Sequence, residues 1–255
     1  MEKIFSKAFI SGDYFEYYSF KTPIKKSKAK QTKDRRDLSD SEKLANRHQS
    51  LVRIRKNLKR FLYCNTDLLY FWTFTFRDNV DDIDCANRLF KKFIQRLRYK
   101  YPDIKYIAVV EFQKRGAVHY HVVLNQRVDF YEMSGIWRYG FCLVKRVNNR
   151  RHLVNYVLKY LKKVSPKDRR LWGKKVYHTS RNLNKPEDVT NMSMCDFAFL
   201  LRERMAKNWL NVSNFKVRSG SFVSDYVGEV QFWVFDLSPP QFESPPQFDK
   251  LKKNV

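Results

Sequence analysis

Cysteine is scarce in this sequence, and its few cysteines form no recognisable pair. The four residues, Cys64, Cys85, Cys142 and Cys195, are far apart and include no C-x-x-C motif. A disulfide framework and a zinc ribbon are therefore both disfavoured. Isolated thiols of this kind are typical of reduced structural cysteines in a cytoplasmic protein.

Long apolar runs are also missing. No stretch of the sequence is long enough to span a bilayer, and residues 1–10 lack the apolar core of a secretory signal peptide. The phosphate-binding pattern G-x-x-x-x-G-K-S/T is absent as well. We expect no membrane partner and no fused helicase, so any unwinding of a duplex would depend on a host protein.

Acidic residues are few compared with basic ones. The sequence contains 51 lysines and arginines but only 26 aspartates and glutamates, which gives a formal net charge of +25. This excess is larger than solubility requires, and it indicates a polyanionic partner, with nucleic acid favoured over membrane. A basic protein without chemistry, such as a ribosome-associated or chromatin-like protein, remains an alternative at this point.

Composition divides the chain into four regions. Residues 1–38 are predicted to be a flexible basic arm, because residues 21–36 are basic and contain few apolar side chains. Residues 39–182 are predicted to form the central domain, followed by a C-terminal extension at 183–237. The tail, residues 238–255, repeats the sequence SPPQF and is predicted to be disordered.

Hydrophobic periodicity predicts alternating helices and strands in the central domain. The predicted strands cover residues 68–76, 106–112, 117–124 and 141–147. The predicted helices follow the acidic residues at 81–84 and cover residues 129–137 and 150–163. The resulting order, β-α-β-β-α-β-α, indicates an α+β fold in which helices pack on an antiparallel central sheet. Later segments predict strands at 176–180 and 230–237 and a helix at 197–210.

A basic amphipathic helix is predicted ahead of the first of these strands. Apolar residues recur at helical spacing from residue 44 to residue 61, with Arg53 and Arg55 among the basic positions between them. This basic side can be a solvated surface, or it can follow the phosphates of a nucleic acid. The sequence leaves both interpretations open.

Two histidines alternate in the predicted strand at 117–124. Alternate residues of a strand share a face, so the imidazoles of His119 and His121 point the same way, and two neutral imidazoles form half of a metal site. Glu111 lies on the preceding strand, which a tight hairpin at 113–116 folds back beside the histidines. A charged third ligand is then within reach; the alternative is a pair of surface histidines.

The predicted helix at 150–163 presents two phenols and two ammonium groups on one side. At 100° per residue, an arc of roughly 100° contains Tyr156, Lys159, Tyr160 and Lys163. This face is expected to be exposed, with the apolar side of the helix against the sheet. A phenolate can attack a phosphodiester, and a neighbouring ammonium lowers the phenol's pKa and offsets charge in the transition state. The alternative is that the tyrosines are half-buried packing residues.

Three segments in this order resemble the motifs of a known family. FWTFTFRDN, EFQKRGAVHYHVVL and YVLKYLKK are similar to the three motifs of HUH-type rolling-circle replication initiators, the Rep proteins of single-stranded DNA phages and plasmids. The pattern Tyr156-x-x-x-Tyr160 is similar to that of the gene A initiators of microviruses. The resemblance covers roughly residues 47–182, including the segment YHTSRNL.

The resemblance implies a role for each of these residues. Glu111, His119 and His121 would be ligands of Mg²⁺ or Mn²⁺, and Tyr156 and Tyr160 would be nucleophiles. The implied activity is that of an endonuclease and strand transferase. It would nick single-stranded origin DNA, form a 5′-phosphotyrosine link, free a 3′-hydroxyl for rolling-circle replication, and later rejoin the strand.

The same resemblance implies the surroundings in which the protein works. Its partners would be origin DNA and a host helicase and polymerase, in the cytoplasm of a bacterial host cell. The basic residues expected to contact DNA are Lys114, Arg115, Arg53, Arg55 and Arg77.

Three other functions remain open on the sequence alone. A transposase of the same nuclease class would carry the same motifs. A noncatalytic nucleic-acid-binding protein with a core like that of RNA-recognition folds would need neither His119 nor Tyr156. An iron oxygenase with two histidines and one carboxylate would use the same ligand types, but it gives no role to the paired tyrosines or to the charge.

Overall fold

The computed structural model describes residues 4–23, 38–113, 116–147, 149–207 and 216–238, and the chain forms two compact units. One unit contains the described residues between 41 and 183, and the other contains those before 41 and after 183. Each unit has one five-stranded sheet, in which every strand pairing is antiparallel. No described helix is long and apolar enough to cross a membrane. The predicted α+β class is confirmed.

The strands and helices follow one another along the chain with these bounds. They are β1 (Phe5–Ser11), β2 (Tyr14–Phe20), α1 (Asp40–Cys64), β3 (Tyr70–Phe76), α2 (Ile83–Lys100), β4 (Tyr106–Phe112), β5 (Val118–Leu124), α3 (Phe130–Trp137), β6 (Gly140–Arg146), α4 (Arg150–Lys163), β7 (Tyr177–Thr179), β8 (Glu187–Thr190), α5 (Met194–Lys207), β9 (Lys216–Ser224) and β10 (Gly228–Asp236).

The central unit, residues 41–183, has the strand order β6-β3-β5-β4-β7. The predicted order of elements from β3 to α4 is found, and β7 adds an edge strand within the predicted segment 176–180. Helices α2 and α4 begin where a side chain can accept their first amide hydrogens: Asp82 accepts from two amides of α2, and Asn149 accepts from the amide of His152 in α4. Such caps fix where the helices begin relative to the sheet.

One face of the central sheet forms an aromatic core. Trp72 and Phe74 of β3 and Tyr120 of β5 point to this face, because alternate residues of a strand share a side. The Phe74 ring packs on Phe93 of α2 with 4.7 Å between centroids, and the Tyr120 ring stacks on Phe90 at 4.2 Å. The intervening residues of β3 and β5, including both histidines, therefore point to the opposite face.

The predicted basic arm at 1–38 is corrected for residues 5–20, which form the hairpin of β1 and β2. Apolar and aromatic residues alternate on both sides of a turn in which Gly12 has φ 59°, a conformation that glycine adopts readily. Residues 24–37, which contain most of the basic segment, lie outside the described residues.

The same hairpin joins the C-terminal extension in a second sheet, with the order β8-β1-β2-β10-β9. Strand β10 pairs with β2 from Val230↔Phe20 to Asp236↔Tyr14. One face packs on α5, where Phe197 contacts Phe15 and Tyr17. The extension is therefore one part of a sheet-and-helix unit rather than a small separate addition.

The later predicted segments are found with shifted bounds. The predicted helix at 197–210 corresponds to α5, and the predicted strand at 230–237 corresponds to β10. Strands β8 and β9 were not predicted, because their residues are mostly exposed and carry no apolar alternation. All but the first residue of the predicted tail, 238–255, lies outside the described residues.

Candidate active site

The two histidines and Glu111 lie in adjacent strands on the face that carries α4. His119 is directly opposite Glu111 of β4 on one side and Thr75 of β3 on the other, and His121 is opposite Thr73. Directly paired residues of an antiparallel sheet share a face, with Cβ atoms about 5 Å apart. The hairpin register therefore brings the predicted ligands together, as their spacing suggested.

A hydrogen-bonded chain runs through His121. The Nε2 atom of His121 is 2.5 Å from Glu111 Oε2, and its Nδ1 atom is 3.1 Å from the Thr73 hydroxyl. Burial lowers the pKa of His121, so the imidazole is neutral at pH 7. A neutral ring satisfies both contacts when Nε2–H donates to the carboxylate and Nδ1 accepts from the hydroxyl.

Lys163 of α4 reaches the same carboxylate. Its ammonium donates to Glu111 Oε1, on the other side from His121. Burial raises the pKa of Glu111, but the hydrogen bonds from His121 and Lys163 outweigh it and hold that pKa at about 2. Glu111 is therefore ionised throughout the physiological range, which a metal ligand requires.

Both tyrosines of α4 lie at this site. The Tyr160 ring stacks on the His121 imidazole with 3.5 Å between centroids and 20° between planes. The Tyr156 ring meets Tyr160 edge-on at 5.2 Å and packs against Phe71 of β3 at 4.7 Å. Residues that are distant in sequence thus bring two phenols and two possible metal ligands into one cluster.

The expected exposure of the tyrosine face is corrected for Tyr160. Only 8% of Tyr160 is exposed, because α4 lays its tyrosine arc on the histidine face of the sheet as well as burying Val157 and Leu161. Tyr156 is half-buried. Burial, with the neighbouring Tyr156 phenol and Glu111 carboxylate, raises the pKa of Tyr160, so its phenol stays protonated in this arrangement.

The two predicted lysine partners differ in their surroundings. The Lys163 ammonium lies over the Tyr160 ring, 5.3 Å from its centroid, which is the pairing expected from the sequence. Lys159 is exposed. The contact between Lys163 and Glu111 was missed, since the two residues are 52 positions apart and local spacing cannot relate them.

The donor types suit a hard divalent cation that also accepts imidazole. Glu111, His119 and His121 share one face of two paired strands. In the arrangement described, however, no three His, Cys, Asp or Glu side chains already surround a possible metal position among the described residues. Glu111 is bound to His121 and Lys163 instead, so a cation would take the place of the lysine at this carboxylate.

The residues expected to contact DNA are found in different settings. Arg53 and Arg77 are exposed. Arg55 donates to the carbonyl oxygen of Leu161 at 3.3 Å, so it holds α1 against the end of α4. Lys114 and Arg115 lie outside the described residues. Thr73, which orients His121, was read from the sequence only as part of a buried strand.

One comparison with known proteins gives a match. Residues 69–165 match the model of a family described as Replication-associated protein, of the ORF2 type. The matched segment runs from the start of β3 to just beyond α4, and it includes the histidine, carboxylate and tyrosine positions. No curated protein and no solved structure matches the chain. The match supports a replication-associated protein, while the HUH type and the gene A form stay predictions.

Proposed function

We propose that this protein starts rolling-circle replication by nicking single-stranded origin DNA with a tyrosine and later rejoining the strand. The observation that carries the proposal is the stack of Tyr160 on His121, beside Tyr156 and Glu111. A phenol has no packing need for a neutral imidazole and a carboxylate at its edge. A phosphodiester held there would meet a nucleophile and its activating groups together.

The reaction is a transesterification in two halves. In the first, the attacking phenol loses its proton, its oxygen bonds to phosphorus, and the 3′-oxygen leaves and takes up a proton. The products are a 5′-phosphotyrosine and a free 3′-hydroxyl. In the second, a 3′-hydroxyl attacks the phosphotyrosine and releases the phenol. The ester stores the bond energy, so no nucleotide triphosphate is consumed.

Glu111, His119 and His121 are the residues that would hold Mg²⁺ or Mn²⁺. A divalent ion there polarises the scissile phosphate and stabilises its developing charge. Thr73 fixes the orientation of the His121 ring through Nδ1, in the way that outer hydrogen bonds orient metal-bound histidines. Lys163, once it is released from Glu111, can offset charge on the Tyr160 oxygen or on the phosphate.

Two tyrosines one helical turn apart can alternate at one phosphate. They are separated by about 6 Å along the axis of α4, and Tyr156 is the more accessible of the two. We propose that Tyr156 attacks first and that Tyr160 attacks in the later transfer. Because the chain shows no helicase motif, a host helicase and polymerase would extend the freed 3′-hydroxyl.

The decisive experiment looks for the covalent product. The protein is incubated with single-stranded origin DNA labelled on its 5′ side or its 3′ side, with Mn²⁺ or with a chelator. We expect a denaturant-resistant adduct that carries only the 3′-side label and that needs Mn²⁺. The Tyr156→Phe, Tyr160→Phe double variant is the control. An adduct formed by that variant, or none formed by the native chain, would refute the proposal.

The family match favours replication over transposition, and a second assay separates the two. The nicked circular template is supplied with a polymerase and a helicase. Extension from the 3′-hydroxyl supports an initiator, whereas excision of a defined element without extension supports a transposase.

A further inference from the structure

The edge strand β6 presents two large apolar side chains to solvent. Phe141 is 68% exposed and Leu143 is 67% exposed, although the strand between them buries Cys142. Single exposed apolar residues are ordinary on protein surfaces. Two of them on one face of one strand form a continuous apolar step, which we call the β6 floor.

The β6 floor lies in register with the candidate active site. Phe141 is opposite Thr75, which is opposite His119, and Leu143 is opposite Thr73, which is opposite His121. Each row crosses three neighbouring strands, so the floor is about 10 Å from the histidines, at two strand spacings of about 4.8 Å. It also lies on the same face, because directly paired residues share a side of the sheet.

Basic side chains flank the floor in the direction of the strands. Lys145 follows Leu143 by two residues on the same face, and Arg77 follows Thr75 by two residues at the end of β3; both are exposed. An apolar aromatic surface between cations suits a chain of bases linked by phosphates. A purely apolar partner would gain nothing from these cations, which are part of a chain with a net charge of +25.

We infer that the β6 floor binds an unpaired nucleobase of single-stranded DNA, with Phe141 stacking on the base. This deepens the proposed function and rests on it, since it places a base next to the phosphate that the tyrosines attack. It also gives a physical reason for a single-stranded substrate. A base that is paired and stacked in a duplex has no free face to offer to Phe141.

The test measures binding without divalent metal, so that cleavage does not enter. Fluorescence anisotropy is recorded with single-stranded oligo-deoxythymidylate and with an oligonucleotide of the same length whose sites are all abasic. Loss of one stacked base corresponds to roughly 5- to 150-fold weaker binding. We expect Phe141→Ala to lose affinity in this range for the base-bearing DNA only, and Phe141→Trp to retain it.

A matched control is Tyr99→Ala. Tyr99 is a 93% exposed aromatic residue on α2, which packs on the opposite face of the sheet. Its replacement should change neither affinity. Because Phe141 is exposed, its variants should fold, and a thermal melt verifies this.

Several outcomes would overturn the inference. They are native affinity in Phe141→Ala, an equal loss on the abasic DNA, an equal loss in Tyr99→Ala, or self-association that Phe141→Ala abolishes, which would assign the floor to a second copy of the chain. Failure of the proposed function looks different. In that case no covalent adduct forms, yet Phe141→Ala still binds base-bearing DNA more weakly than the native chain.

Discussion

Lys163 of α4 and Glu111 of β4 form an ion pair at the centre of the candidate site. Their contact links the tyrosine helix to the strand that carries the proposed metal ligand. The ammonium thus stands at a carboxylate that a divalent cation would need. Metal binding and the position of Lys163 are therefore coupled, and this coupling can be measured.

Replacing Lys163 by Met should tighten Mn²⁺ binding while slowing strand cleavage. The ammonium competes with the metal for Glu111, and Lys163 is about half exposed, so the gain should be modest. An exposed ion pair is worth about 1 kcal/mol, which corresponds to roughly 5-fold in affinity. Titration calorimetry with Mn²⁺ measures it, with the exposed Lys159→Met as the control. Weaker metal binding in Lys163→Met would show that the lysine supports the site rather than competing.

Replacing either histidine by Ala should stop cleavage but leave most DNA affinity. A metal ligand contributes several kcal/mol to the transition state, so the rate should fall at least about 100-fold. DNA affinity comes mainly from phosphate contacts by basic residues. Cleavage and anisotropy assays on His119→Ala and His121→Ala measure both effects, with the exposed His152→Ala as the control. Cleavage at the native rate by both variants would rule out this ligand set.

Gly140, where β6 begins, should not tolerate a side chain. A Cβ atom there would lie 2.4 Å from both the Arg77 nitrogen and the Thr75 oxygen of β3, and its φ of 152° is unfavourable for other residues. We expect Gly140→Ala to destabilise the fold by about 2–4 kcal/mol. Gly135→Ala is the control, because nothing lies within 4 Å of a Cβ at that helical position. Urea denaturation compares the two, and equal stabilities would contradict the prediction.

Much of the central unit follows from local sequence pattern. Alternation places His119 and His121 on one face, and the short hairpin brings Glu111 beside them; neither inference needs distant contacts. The hairpin of β1 and β2 was missed, although Gly12 and Asp13 lie between two aromatic-rich runs, which is a turn signal.

Other features depend on contacts that local pattern does not encode. The pairing of β10 with β2 joins segments from opposite ends of the chain, so periodicity gives no sign of it. The burial of Tyr160 was missed because a helical wheel separates two arcs but does not say which arc meets the sheet. The pairing of Lys163 with Glu111 follows from that placement and was missed for the same reason.

His178 should make folding stability depend on pH. Burial lowers its pKa to about 4, and its Nε2 is 2.7 Å from Asn87 Oδ1. In the unfolded chain the pKa is about 6.5. As the pH falls from 6.5 to 4, the unfolded state takes up a proton and the folded state does not, so stability decreases. The loss should level off below pH 4 and reach at most about 3 kcal/mol.

Urea denaturation between pH 7 and pH 4 measures this effect by comparing the native chain with His178→Gln. The variant should lose less stability over that range, because glutamine does not titrate yet can still donate to Asn87. His152→Gln replaces an exposed histidine and should follow the native curve. Parallel curves for all three proteins would show that His178 does not titrate differently in the folded state.

The two tyrosines should have separable roles, which single replacements by Phe can distinguish. Phe removes only the phenolic oxygen, so the contacts of both rings with Phe71 and with each other are kept. Tyr156 is the more accessible phenol, whereas Tyr160 is 8% exposed and its pKa is raised by burial. Tyr156→Phe should therefore lose initial nicking, and Tyr160→Phe should nick once but fail in repeated turnover or circle closure. Peptide mapping of the trapped adduct identifies the nucleophile. An adduct on Tyr160 in the native chain at the first nick would reverse the order, and an adduct on any other residue would remove both tyrosines from the mechanism.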